Sequence, residues 1–175
     1  AIQIFKDEYP KRFLHQLVSG QLDMDRLDYL RRDSFYTGVT EGNIGSARII
    51  KMLDVADDRL VIESKGIYSI ENFLTARRLM YWQVYLHKTS VAYERMLIST
   101  LLRAKELASQ GVELFASPAL HFFLYNDINH TEFHNNPDCL ENFIQLDDND
   151  IWTALKVWSN HPDKVLSTLS LGMIN

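Results

Sequence analysis

The sequence predicts a mostly α protein, a multi-helix array carrying one short β-hairpin. Residues 69–109 contain neither proline nor glycine, and Ile70, Phe73, Leu74, Met80, Val84, Val91, Leu97, Leu101 and Leu102 recur there at helical spacing. Beyond residue 117, short apolar segments each open on a proline or an acidic residue. The single β-prone tract, Leu60-Val61-Ile62, follows Asp57-Asp58, a pair suited to a tight turn.

The elements follow in order. Pro10 is expected to open a helix over KRFLHQLVS, with Phe13, Leu14, Leu17 and Val18 on one side. Ser19, Gly20 and Asp23 punctuate the chain before a second helix from about Leu22 to Tyr36. Gly38, Gly42 and Gly45 make the next stretch a loop, and Ser46 is the expected cap of the short helix ARIIKML. DVADDRLVIES then reads as the hairpin. A continuous helix over 69–109 would be about 60 Å long, more than a small domain's diameter, so a kink or break is expected near Thr89-Ser90. Four helices are expected after it, at Pro118–Asn126, Pro137–Gln145, Asp150–Ser159 and Pro162–Leu171.

At 175 residues and 46% hydrophobic, the chain is large enough to bury a core, and it reads as one domain or a large piece of one. No apolar run approaches the roughly 18–20 residues that a bilayer requires, and no signal segment opens the chain, so membrane partners are not expected and a cytoplasmic location is. Cys139 is the sole cysteine, which rules out an internal disulfide and a thiolate metal cluster and suits reducing surroundings. The net charge of −5 opposes binding along an extended nucleic-acid backbone but leaves room for a small anion held by local arginines. The abrupt AIQIF start and the apolar LSLGMIN end suggest an excerpt of a longer protein.

Residues 21–33 carry four aspartates and three arginines. On a helical wheel Asp25, Tyr29, Arg32 and Asp33 share one side, while Met24, Leu27 and Leu30 cover the other. The polar stripe can face water, as i,i+4 pairs worth tenths of a kcal/mol (~0.3), or line a cleft around a polyphosphate. Asp25 falls in the first turn, where a carboxylate is favoured, and is followed by Arg26.

The segment LDMDRLDYLRRDSFYTGV resembles the one that carries the last metal-binding aspartate of the HD-superfamily phosphohydrolases, in particular the deoxynucleoside-triphosphate triphosphohydrolase branch. ENFLTARRLMYWQVYLHKT, residues 71–89, resembles that branch's arginine-bearing helix ending in Tyr-x-His-Lys. The two occur in the family's order with its hairpin between them, and the likeness extends over about residues 15–105. It implies that residues 1–110 are the C-terminal part of an HD domain, within an HD-type helical array, and that 111–175 form a helical extension. A divalent metal is implied as cofactor, with Asp25 the only one of its ligands present and the histidine and His-Asp motifs upstream of this chain. Arg26 would stand where a lysine is often found beside the metal ligand, a change that keeps charge but alters geometry. Tyr29 would line the phosphate or sugar site, Asp33 would accept from the sugar hydroxyl, Arg77 would bind phosphate, and Tyr85 would press on the sugar's 2′ edge and so prefer deoxyribose.

Arg77, Tyr81, Val84 and Lys88 share one face of a straight helix, but Arg77 and Lys88 would lie about 16 Å apart along its axis, so Arg77 is assigned to the site and Lys88 to a second site or a subunit contact. Tyr85 and Trp82 would be core residues by residue type alone. HTEFH sets His130 and His134 four apart and near His121, yet the following Asn-Asn-Pro favours a surface loop over a metal-binding helix. His87 belongs to the second motif, whereas His15 and His161 have no partner visible in the sequence. The function expected is a metal-dependent nucleotide phosphohydrolase, resembling the dNTP triphosphohydrolases and forming a homo-oligomer. The alternative is a helical module that binds nucleotide, or a partner, without turnover.

Overall fold

The computed structural model describes residues 1–175 and is mostly α with one antiparallel hairpin. Two compact units divide between Ser90 and Val91. The first contains α1 (Ile2–Phe5), α2 (Phe13–Ser19), α3 (Met24–Thr37), α4 (Ser46–Lys51), the strands β1 (Leu53–Ala56) and β2 (Arg59–Ile62), and α5 (Ile67–Met80). The boundary falls in the first turn of α6 (Lys88–Ser109), and the second unit continues through α7 (Pro118–Tyr125), α8 (His130–Asn135), α9 (Pro137–Gln145), α10 (Asp148–Trp158) and α11 (Lys164–Ile174).

Asp57 and Asp58 form the two-residue turn of the hairpin, with Ala56 opposite Arg59 and Leu53 opposite Ile62. Both aspartates have positive φ, 50° and 58°, as a turn matching the right-handed strand twist requires, and short polar side chains tolerate it. The Arg12 amide donates to Asp58 Oδ2 at 3.0 Å and the Leu60 amide to Gln16 Oε1 at 2.7 Å, tying the hairpin to α2.

Asp23 caps α3 by accepting from the Arg26 amide, and Gly38 ends the helix in the left-handed conformation at φ 72°. Leu27 and Leu30 of α3 then bury against Phe73, Ala76 and Met80 of α5, with Ile44 and Ile49 completing this core. Gly42 makes the approach possible: a Cβ there would sit 2.8 Å from Ser34 Cβ and 2.5 Å from Met80 Sδ. In the second unit Trp158, Leu155, Leu166, Leu120 and Ala104 centre a separate core, and the Trp158 indole N–H donates to the Phe115 carbonyl at 3.0 Å.

Several boundaries differ from those the sequence suggests. The first long helix starts at Phe13, with Arg12 at its N-cap, not at Pro10, and α1 precedes it. Ser46 is already helical; Gly45 precedes it, and no side chain caps α4. The final helix begins at Lys164 because the Asp163 carboxylate accepts from the Leu166 amide, which moves the start past Pro162. HTEFH is helical, not a loop: Asn129 and Glu132 form a reciprocal capping box that starts α8 despite its short length. The long helix is interrupted before Thr89-Ser90, by a π-turn at Tyr81–Tyr85 followed by Leu86-His87. Wider i→i+5 bonding rotates the residues beyond the turn, so a shared straight-helix face for Arg77 and Lys88, and their axial spacing, do not apply.

Candidate functional site

α3, α5 and the π-turn bring both charged motifs to one place within the first unit. Tyr85 donates its hydroxyl proton to Asp33 Oδ2 at 2.6 Å, across 52 positions of sequence. The Tyr85 ring meets Tyr81 edge-on at 5.1 Å between centroids and Tyr29 at 6.1 Å, giving a three-ring cluster. The Arg77 guanidinium lies 5.5 Å from the Tyr81 ring centroid, in cation–π range, while its Nε is buried with no hydrogen-bond partner. The helix start is set by α3's cap, its inward Leu27 and Leu30 fix the rotation, and the π-turn fixes the heading of Tyr81 and Tyr85.

The electrostatics follow from these contacts. Tyr85 ionises well above the ordinary tyrosine range because burial disfavours the phenolate, with the hydrogen bond to Asp33 and the carboxylate's charge adding to the effect. Arg26 donates Nε–H to Asp23 Oδ2 at 3.1 Å and to the Gly20 carbonyl at 3.2 Å. That bond to Asp23 raises the Arg26 pKa, against the opposing effect of burial, with Tyr29 and Tyr81 contributing smaller favourable interactions. Arg26 therefore serves first as part of the α3 cap, with Asp23 itself buried.

Tyr29, Asp33, Arg77 and Tyr85 thus come together, and Arg26 stands near Tyr29 and Tyr81. Asp25 is exposed in the first turn of α3. Arg32, which shares the stripe in sequence, turns to solvent and pairs with Asp28. Trp82 is not a core residue, being 69% exposed. Tyr81 is the member that the sequence alone leaves unassigned; its place one helical turn after Arg77 and one before Tyr85 is the signal that marks it. His15 and His161 have partners after all: His15 Nδ1 lies 2.9 Å from the Ile4 carbonyl, and His161 Nδ1 accepts from the Asp163 amide at 3.1 Å. His130 and His134 meet edge-on at 4.6 Å between ring centroids. No group of three or more His, Cys, Asp or Glu side chains is arranged to hold a metal ion. No helix is long and apolar enough to cross a membrane.

Fold and site define a class: a helical protein with a short hairpin and a wall of tyrosines and arginines built from two charged helices. Comparison with known proteins carries this further. Residues 44–127 match the family described as the HD associated region. Protein YwfO of Bacillus subtilis is 32% identical over 173 residues, which is 99% of this chain and 38% of YwfO. The Dictyostelium discoideum homolog of deoxynucleoside triphosphate triphosphohydrolase SAMHD1 is 28% identical over 99 residues, covering 55% of this chain and 19% of that protein. The crystal structure of a hypothetical protein from Aquifex aeolicus aligns at a TM-score of 0.52 and 26% identity, covering 93% of this chain and 47% of that one. The chain spans less than half the length of each of these proteins. The family match and the likeness to the SAMHD1 homolog together point to the HD superfamily.

Proposed function

We propose that this chain supplies the nucleotide-facing wall of an HD-type, metal-dependent phosphohydrolase acting on deoxynucleoside triphosphates. The observation that carries the reading is Arg77: its Nε is buried without a partner, beside the tyrosine cluster and the Asp33–Tyr85 pair. An unpaired buried donor typically costs about 1–3 kcal/mol, and more when charged, so an anionic phosphoryl oxygen reaching it would relieve that cost while gaining a charge-assisted bond. The Tyr85 ring would then meet the sugar's 2′ edge, Asp33 would accept from the 3′-hydroxyl while still receiving Tyr85, and Tyr29 would close the sugar or phosphate side. Arg26, already bonded to Asp23, would add positive potential and is a weaker candidate for direct contact. The likeness to a protein named as a deoxynucleoside triphosphate triphosphohydrolase homolog supports the substrate class.

A divalent metal does not fit the residues of this chain alone, which place the exposed Asp25 carboxylate in no group of ligands. In the proposal Asp25 is one ligand of a site completed by residues upstream of this chain, and no chemical step is assigned to the metal. That same observation favours nucleotide binding without turnover for the chain by itself. The reading also takes the protein to be a homo-oligomer, with exposed Trp82 and Leu86 as interface candidates; sedimentation of Trp82→Ala checks this.

The test uses a protein containing the upstream residues. Arg77→Ala should weaken dGTP and GTP alike by about ten- to a hundredfold in kcat/KM, the loss expected of one charge-assisted contact, while leaving thermal stability unchanged or higher because the orphaned donor is gone. Loss of stability with kcat/KM intact would make Arg77 a structural residue.

A further inference from the structure

The second unit carries an apolar groove of about 490 Å³ that the nucleotide reading does not use. It is lined by Ile98, Leu101 and Leu102 of α6, Phe123 and Leu124 of α7, and Ile151 of α10. Leu102 is 65% exposed and Ile98 42% exposed. The apolar surface does not stop at the groove: Phe123 meets Phe143 of α9 edge-on at 6.4 Å, and the α9 face beyond it exposes Ile144 and Leu140. Contiguous exposed apolar surface of this kind marks an interaction site more often than scattered single residues do.

The polar groups around the groove narrow what it takes. Its one cation, Lys105, is committed to the Phe123 and Asn126 carbonyls at 2.8 and 2.5 Å, where it satisfies the end of α7. The lining is otherwise apolar and offers little to orient a small polar metabolite, so recognition would rest on apolar contact. Acidic residues adjoin it along the chain: Asp147 and Asp150, whose carboxylates accept amide bonds in the α10 capping box yet keep their charge, and Asp148 flank the groove residues Leu146 and Ile151, and Asp138 and Glu141 alternate in sequence with the exposed apolar residues of α9. Residues 91–175 hold five Lys or Arg against eleven Asp or Glu, whereas residues 1–90 hold thirteen against twelve. The acidic excess of the whole chain therefore belongs to the unit that carries the groove.

We infer that this groove is a docking site for an amphipathic helix of a protein partner, one with an apolar stripe at i, i+3, i+4 and i+7 flanked by Lys and Arg. The apolar stripe would cover Leu102, Ile98 and Phe123, and the basic flanks would meet the aspartates at the α9–α10 junction and on α9. A second copy of this chain is a poorer match, because it would set one acidic border against another.

The experiment titrates the full chain into a fluorescein-labelled helical peptide made only of Leu and Lys in that pattern, followed by anisotropy. Saturable one-to-one binding is expected, weakened about tenfold or more by Leu102→Gln and by Ile98→Gln, substitutions at exposed positions that leave the core and the charge untouched. A Leu–Glu peptide of the same pattern should bind at least about tenfold more weakly. Equal binding to wild type and to both variants would reduce the interaction to bulk charge attraction and overturn the proposal. So would absence of binding, equal binding of the Leu–Glu peptide, or a wild-type dimer in sedimentation that Leu102→Gln dissociates. Phosphatidylcholine vesicles should not bind; vesicle binding lost in Leu102→Gln would assign the groove to lipid instead.

Discussion

The two units solve the same problem, ending and packing helices, by different means. In residues 91–175, Ser117, Asn129, Asn136, Asp147 and Asp163 each cap the helix that follows with a side-chain bond, and a tryptophan-centred core lies beneath. In residues 1–90 α3 alone among α1–α5 has such a cap, the long helix loosens into a π-turn before the His87 ring accepts from the Thr89 amide, and the Arg77 guanidinium nitrogen is buried and unpaired, as the Ser170 hydroxyl is in the second unit. Local agreement between residue and structure is the default in a folded protein, and departures from it concentrate where side chains are held for binding. The first unit departs from it where Arg77, Tyr81, Tyr85, Tyr29 and Asp33 gather.

The largest effect should come from the second unit's core. Trp158 is 1% exposed, and Trp158→Ala should cost about 3–5 kcal/mol, seen as a lower urea midpoint for that unit with the tyrosine cluster's exchange protection retained. Loss of both together would mean that the units do not unfold separately. A smaller effect is expected at the cluster. Asp33→Asn removes the charge and the strongest acceptor facing Tyr85, so the Tyr85 phenol should ionise at lower pH while staying above the ordinary range, since burial is the larger cause. Ultraviolet difference titration against Tyr85→Phe identifies the group; an unchanged curve would separate the two residues.

The smallest effect concerns acid. Asp163 accepts from Arg103 Nε at 3.2 Å, from Arg103 Nη2 at 2.6 Å and from the Leu166 amide, and these bonds hold its pKa at about 2. A depressed carboxylate contributes stability above its unfolded value of about 3.9 and loses it as pH falls toward the folded value. The second unit should therefore weaken modestly between about pH 4 and pH 2, the pair being only partly shielded from water, and Asp163→Asn, which keeps a good cap residue, should flatten that slope in acid unfolding monitored by circular dichroism.

How much of this was legible in sequence also differs between the units. The hairpin, the Pro118 and Pro137 helices and the apolar side of α3 follow from local chemistry that one residue type announces, such as Asp57-Asp58 for a left-handed turn. The start of α8 is legible too, in the Asn129-x-x-Glu132 spacing, but the two asparagines and the single proline after it favour a loop. The π-turn was not: no glycine or proline marks Tyr81–Tyr85, and the extra residue per turn arises where the surrounding packing overrides propensity. With it went the correct heading of Tyr81 and the exposure of Trp82. Charged residues of α3 could be placed on one side by periodicity, yet only the fold separates Asp33, bonded to Tyr85, from Arg32, paired in solvent.

The central claim is that α3 and the π-turn form one wall that reads a deoxyribose. It is tested most directly by the ratio of kcat/KM for dGTP over GTP, measured for wild type and Tyr85→Ala in a protein that includes the upstream residues. If Tyr85 crowds the 2′ position, the wild-type ratio should be roughly 5- to 100-fold, and removing the ring should lower it more than it lowers either activity through general damage. A wild-type enzyme indifferent to the sugar, or a Tyr85→Ala variant that loses both activities equally, would contradict it.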